Sequence, residues 1–205
     1  MYDNVKKFAP GWKHLIYDDT NATAFLKENF HPEVAVRFNN LTNGAHKADL
    51  FRYAFLYING GVWLDVDVEL RLPLDEIFSK NNTIYTAKSG VFDDIFQAIL
   101  GAPRGKDFMN DLVEEIVESD LNGSGLPFTV WFKDRLLKST GISRLQDGQV
   151  LENSNKKETD FYLFRESCTE STSEDCPSLD RYGLCCWVMD KEKKIFKGRY
   201  HDYPF

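Results

Sequence analysis

Two linked runs decide how this chain is read: Lys47-Ala48-Asp49-Leu50-Phe51-Arg52-Tyr53, and then Leu56-Tyr57-Ile58-Asn59-Gly60-Gly61-Val62-Trp63-Leu64-Asp65-Val66-Asp67. Leu50, Phe51, Ala54, Phe55 and Ile58 recur at helical spacing, which predicts an amphipathic helix over residues 46–58 with one apolar stripe. Asn59-Gly60-Gly61 ends it, because glycine takes the left-handed conformation a helix C-cap needs. Val62-Trp63-Leu64 follows as a short apolar run of strand formers. A helix that turns directly into a buried strand belongs to an α/β layered domain.

The strand runs out at Asp65-Val66-Asp67, the position where α/β sheets present side chains to ligands. On an extended chain Asp65 and Asp67 point to the same side, since direction alternates with period two. Paired carboxylates of this kind suit a hard divalent cation, Mg²⁺ or Mn²⁺, that keeps positions open for substrate phosphates. Such a cation would neutralise a leaving nucleoside diphosphate. Asp49 and Arg52 lie three apart on the helix, away from the apolar stripe, so their side chains are neighbours. One reading is an ordinary ion pair on a solvated helix face. The other has the planar fork of Arg52 holding phosphate or sugar oxygens, with Asp49 accepting donor hydroxyls.

The rest of the chain sets bounds. Its 205 residues suit one domain with a substantial core. A net charge of −7 argues against a nucleic-acid binder, which needs a basic surface. No apolar run approaches the ~20 residues that span a bilayer, and residues 1–12 show no secretion signal, so a cytoplasmic protein is expected. Cys168, Cys176, Cys185 and Cys186 lack zinc-site spacing and read as thiols, with a Cys168–Cys176 disulfide as the other option. Further elements are predicted as a strand at 12–17, a helix capped by Thr20 or Asn21 and running to about 30, and a short helix at 73–78. Strands at 83–87 and 95–100 and helices at 106–119 and 127–138 follow, with an exposed loop at 166–180.

The two opening runs together resemble the DXD-containing sugar-transferase family, which groups fungal-type mannosyltransferases, bacterial capsular-sugar transferases and relatives of the clostridial glucosylating toxins. The family pairs an S/A-D-x-x-R-x helix with a G-G-x-[YW]-x-D-x-D strand end, and every element is present. Gly11-Trp12 with Tyr17-Asp18-Asp19 and the segment 97–108 are similar to two further family motifs. The resemblance implies a GT-A fold, an α/β single domain over 1–205 with a mixed central sheet, and retaining transfer of a sugar. The donor would be a nucleoside-diphosphate sugar, UDP favoured over GDP, and the acceptor a glycan or glycoprotein. Asp65, Asp67 and Arg52 are the implied catalytic residues; Asp49, Arg52, Trp63 and Asp65 would bind donor. Asp65 and Asp67 would hold Mn²⁺ or Mg²⁺, joined by His201, the only late histidine. Asp94 and Gln97 are the acceptor candidates. The family's opening strand, which helps hold the nucleotide base, has no counterpart here, so the base pocket is expected to be incomplete or built from other residues. The alternative function is a catalytically silent nucleotide-sugar-binding module.

Overall fold

A computed structural model of the protein describes residues 2–119, 128–146, 150–151, 160–179 and 183–198. Helices α1 (Tyr2–Phe8), α2 (Asp19–Asn29), α3 (Pro32–Asn40) and α4 (Gly44–Asn59) come first, followed by β1 (Gly61–Leu64) and β2 (Val68–Leu70). After α5 (Leu74–Ile77) come β3 (Thr83–Lys88), β4 (Ile95–Ala102), α6 (Asp107–Glu118) and α7 (Phe128–Thr140). The chain continues with β5 (Val150–Leu151), β6 (Asp160–Thr169), β7 (Cys185–Asp190) and β8 (Lys193–Gly198).

All eight strands form one sheet in the order β1-β4-β3-β6-β7-β8-β2, with β5 paired to β6 outside this path. Strands β3 and β6 run parallel, from Thr83 beside Asp160 to Lys88 beside Arg165, and the other pairings described are antiparallel. The sheet is therefore mixed, as expected.

Strand alternation sorts the side chains into two cores. Ile84, Leu100, Phe161 and Leu163 face α2, α3, α4, α6 and α7, while Tyr85, Ile99 and Phe164 face the opposite way with β2, α5 and Phe196. Helix α4 is the centre of the first core: Leu50, Tyr53, Ala54 and Leu56 have no exposed surface. Asn43 caps its start by accepting from Ala45 N, two residues before the predicted boundary. At its end Gly60 has φ of 66°, and a Cβ there would lie 2.6 Å from Arg104 N, so only glycine lets α4 turn this closely into β1.

Four expectations fail. Residues 12–17 form no strand: Trp12 donates to Asp75 Oδ1, and the Tyr17 ring packs on Phe25, Phe51 and Phe55, so ring contacts anchor the segment in place of a ladder. Helix α2 is capped by Asp18, which accepts from Asn21 N, not by Thr20 or Asn21. The stretch 166–180 is not wholly a loop, because β6 runs to Thr169 and Glu166 is buried, accepting from Gly90 N and Ser89 Oγ. The cysteines are not thiols: Cys168 bonds to Cys186 and Cys176 to Cys185. Cys168 and Cys186 stand directly opposite on β6 and β7, a cross-strand closeness that chain spacing does not reveal.

Candidate active site

The site forms where α4, β1 and β4 meet. Asp49, Arg52 and Tyr53 fall on one flank of α4 at positions i, i+3 and i+4, and that flank packs inward. Asp49 is 6% exposed and Arg52 4%, so the solvated-pair reading is excluded. Burying a charge is costly unless it is paired and hydrogen-bonded, and Arg52 is both. Its Nε lies 3.5 Å from Asp49 Oδ1 and 3.3 Å from the Ala48 carbonyl, which accepts from it. Its NH2 is 3.3 Å from Asp65 Oδ1, and its NH1 donates to the Gln97 carbonyl.

Burial pushes the Asp49 carboxyl up to about 7, against the pull of Arg52 and with the push of Asp65. Burial by itself would lower the guanidinium, but Asp65, Asp49, Tyr53 and Asp67 hold it above its ordinary value. Arg52 thus stands in the field of Asp49, Asp65 and Asp67 together.

Asp65 is fixed from three sides. Its backbone N donates to the Ala98 carbonyl at 2.9 Å, Trp63 Nε1 donates to its Oδ1 at 2.6 Å, and Arg52 reaches the same oxygen. The Arg52 guanidinium also lies over the Trp63 ring, 5.2 Å from its centroid. Asp67 sits in a tight turn, with Val68 N bonded back to the Asp65 carbonyl. The extended-chain argument for Asp65 and Asp67 therefore fails: a turn, not strand alternation, presents them.

The donor set fits a hard cation. Both side-chain bonds to Asp65 land on Oδ1 and leave Oδ2 as a ligand atom, while Asp67 is half-buried on the turn. Asp65 and Asp67 against the one Arg52 guanidinium also leave a negative excess for a cation to balance, even with the raised Asp49 carboxyl left out. Among the described residues, one group of three brings metal-ligand atoms together, Glu166 with Cys168 and Cys186, and its sulfurs are joined in a disulfide. Asp65 and Asp67 thus offer two ligands, which suits an ion that takes one or two carboxylates and completes its shell with substrate phosphates. His201 lies outside the described residues.

Trp63 leads into a cleft of about 390 Å³ walled by Tyr17, Phe38, Phe51 and Trp63 and edged by Asp18, Asp19 and Lys47. Lys47 Nζ is 2.6 Å from Asp19 Oδ2 across its mouth. The volume is in the range of small-ligand sites. A second cleft of about 410 Å³ lies against Trp131 and Arg135 of α7 and takes in none of the residues singled out in the sequence.

The acceptor candidates do not come together. Gln97 sits beneath Arg52, and its Oε1 accepts from Tyr53 OH at 2.6 Å, so its amide oxygen is committed to α4 rather than to an acceptor. Asp94 is half-buried before β4 and accepts from Thr129 Oγ1 of α7 at 3.1 Å. Sequence reading missed Tyr53, Tyr17 and Lys47. The i, i+3, i+4 run of polar groups at Asp49, Arg52 and Tyr53 on an otherwise apolar helix was a usable signal for the first.

Residues 1–84 match the family described as glycosyltransferase sugar-binding region containing DXD motif. The chain is 33% identical over 182 residues to an uncharacterised glycosyltransferase of Acanthamoeba polyphaga mimivirus, covering 86% of this chain and 68% of that protein. It is 32% identical over 90 residues to inositol phosphoceramide mannosyltransferase 1 of Schizosaccharomyces pombe, covering 43% of this chain and 28% of the relative. Against the initiation-specific alpha-1,6-mannosyltransferase of Candida albicans it is 30% identical over 82 residues, covering 39% and 21%. The chain therefore spans about two thirds of the viral relative and under a third of either fungal one.

Proposed function

The chain belongs to the glycosyltransferase family with a DXD-containing sugar-binding region, and from that premise we propose that it moves a sugar from a nucleoside-diphosphate sugar to a hydroxyl of a glycan or glycoprotein. The observation that carries this reading is the buried Asp49–Arg52 pair, joined to the half-buried Asp65 and opening through Trp63 onto an aromatic cleft. We place the fold as GT-A and the whole of 1–205 as one domain. The mannosyltransferases among the relatives favour a mannosyl group, which weakens the preference for a uridine donor.

In this reading the nucleoside lies in the cleft against Trp63, Phe51 and Tyr17, and its diphosphate points to the Asp65–Asp67 turn. Mn²⁺ or Mg²⁺ held by Asp65 and Asp67 would supply charge stabilisation to the leaving diphosphate. Arg52 holds a donor oxygen with its remaining hydrogen-bonding capacity, fixed in direction by two carboxylates. Trp63 keeps the Asp65 carboxylate turned, so its free oxygen does not need to be oriented during the reaction. Transfer with retention needs no separate base, since the acceptor proton can leave with the departing phosphate. The two disulfides support maturation in an oxidising compartment rather than the cytoplasm. No helix among the described residues is long and apolar enough to cross a membrane.

The test is hydrolysis and transfer across a panel of UDP- and GDP-sugars, with and without Mn²⁺, for the native chain and Asp67→Ala. Turnover of one donor that requires Mn²⁺ and disappears in the variant is the expected result. Metal-dependent nucleotide binding without turnover of any donor would replace the transferase with a binding module. Absence of both would overturn the roles of Asp65 and Asp67.

A further inference from the structure

We infer that Gln97, held by Tyr53, is a positioning residue for Arg52, setting the guanidinium between Asp49 and Asp65. The inference rests on Arg52 contacting the donor, as proposed above. Arg52 NH1 donates to the Gln97 carbonyl, and the next residue of α4, Tyr53, donates its hydroxyl to Gln97 Oε1 at 2.6 Å. Two consecutive side chains of one helix thus end on a single residue of β4. None of the three is more than 4% exposed, so water does not compete for these bonds.

The sheet makes room for this. Tyr85 of β3 faces Gly101 of β4, and Ala87 faces Phe96, so residues 97–100 stand opposite Thr86 alone. Such irregularities release ladder groups and re-aim side chains beside functional sites. Here the Gln97 carbonyl turns to Arg52 while the adjacent Ala98 carbonyl takes Asp65 N at 2.9 Å. One peptide step of β4 therefore sets both Arg52 and Asp65. Gln97 Nε2 is buried without a hydrogen-bond partner among the described residues. A merely structural core position would be better filled by an apolar side chain, since an unmet buried donor carries a cost.

The decisive variant is the double Tyr53→Phe/Gln97→Leu, which removes both partners together and leaves no orphaned hydroxyl. Its melting temperature should stay near the native value. Donor turnover should fall on the order of ten- to hundredfold, because a shift of about 1 Å in a contacting group costs that much. ¹⁵N spectra of the Arg52 guanidinium supply a readout independent of activity. Its Nη–H signals should be separately resolved and slow to exchange in the native chain, and averaged in the variant. Native turnover with native guanidinium spectra would overturn the inference, and Gln97 would then be an ordinary core residue. If the native chain turns over no donor, the transferase reading fails while the spectra still decide the role of Gln97. If the double variant does not fold, Tyr53→Phe, which loses one oxygen, takes the same two measurements.

Discussion

Replacing Arg52 by Met keeps most of the side-chain volume and removes the charge, and its cost should depend on pH in a particular way. Asp49 would remain, 6% exposed, without its partner 3.5 Å away. Removing one member of a buried ion pair costs about 3–5 kcal/mol when the other stays ionised. Asp49 has an escape, because its carboxyl is already raised from 3.8 to about 7. In the native chain the folded state holds this proton more tightly than the unfolded state. The stabilising contribution is therefore complete below pH 3.8, declines as pH rises to about 7, and is level above. Without Arg52 the folded value moves higher still, so decline continues above pH 7 at up to ~1.4 kcal/mol per unit. Below pH 6 the variant loses packing, the guanidinium's hydrogen bonds and its pair with the half-buried Asp65, together about 2 kcal/mol. At pH 8 the loss should reach about 3–4 kcal/mol. Urea unfolding of both chains from pH 5 to 8.5, with Asp49→Asn/Arg52→Met as control, measures this directly. The control should show no pH-dependent gap to Asp49→Asn. A loss below about 1 kcal/mol, flat across the range, would mean that the pair is solvated and the reasoning wrong.

Three further outcomes are expected. Trp63→Phe keeps a ring beside Phe51 but loses the bond to Asp65 Oδ1, and should weaken Mn²⁺ binding in the presence of nucleotide about tenfold; an unchanged affinity by paramagnetic resonance would dissociate Trp63 from the metal site. Gly60→Ala forces a side chain into a left-handed position 2.6 Å from Arg104 N and should cost about 1–3 kcal/mol in denaturant unfolding; native stability would show that the turn relaxes freely. Cys168→Ala/Cys186→Ala opens a link across 18 residues and should cost about 3 kcal/mol, read without reductant as a lower melting temperature while Cys176–Cys185 stays intact; no loss would mean that β6 and β7 hold without it.

The α4–β1 unit was legible because every local signal agreed: the apolar stripe, the glycine stop and the buried strand run all pointed the same way. The carboxylates could be named but not their setting. Whether Asp49 and Arg52 face water depends on β4 packing over them, and Gln97 lies 45 residues away from Arg52 in the chain. The turn at Asp65–Asp67 escaped period-two reasoning because the chain leaves the sheet at that point. Disulfide partners were illegible for a similar reason, since they follow from the β6–β7 register. Gln97 misled because likeness to a family motif says where a residue stands, not which way its amide turns.

The strand order has a mechanical consequence. Leu64 ends β1, Val68 begins β2, and these strands are the two ends of the seven-strand path. Four peptide steps reach at most about 15 Å, whereas six strand spacings laid flat measure about 29 Å. The sheet must roll until its margins nearly meet, and the Asp65–Asp67 turn is the seam that joins them. Because β2 pairs with β8, that seam is drawn tight only after the chain has been made as far as Gly198. A polypeptide cut off before β8 would carry the complete sugar-transferase motif and still leave β2, the strand that follows the two aspartates, without its partner.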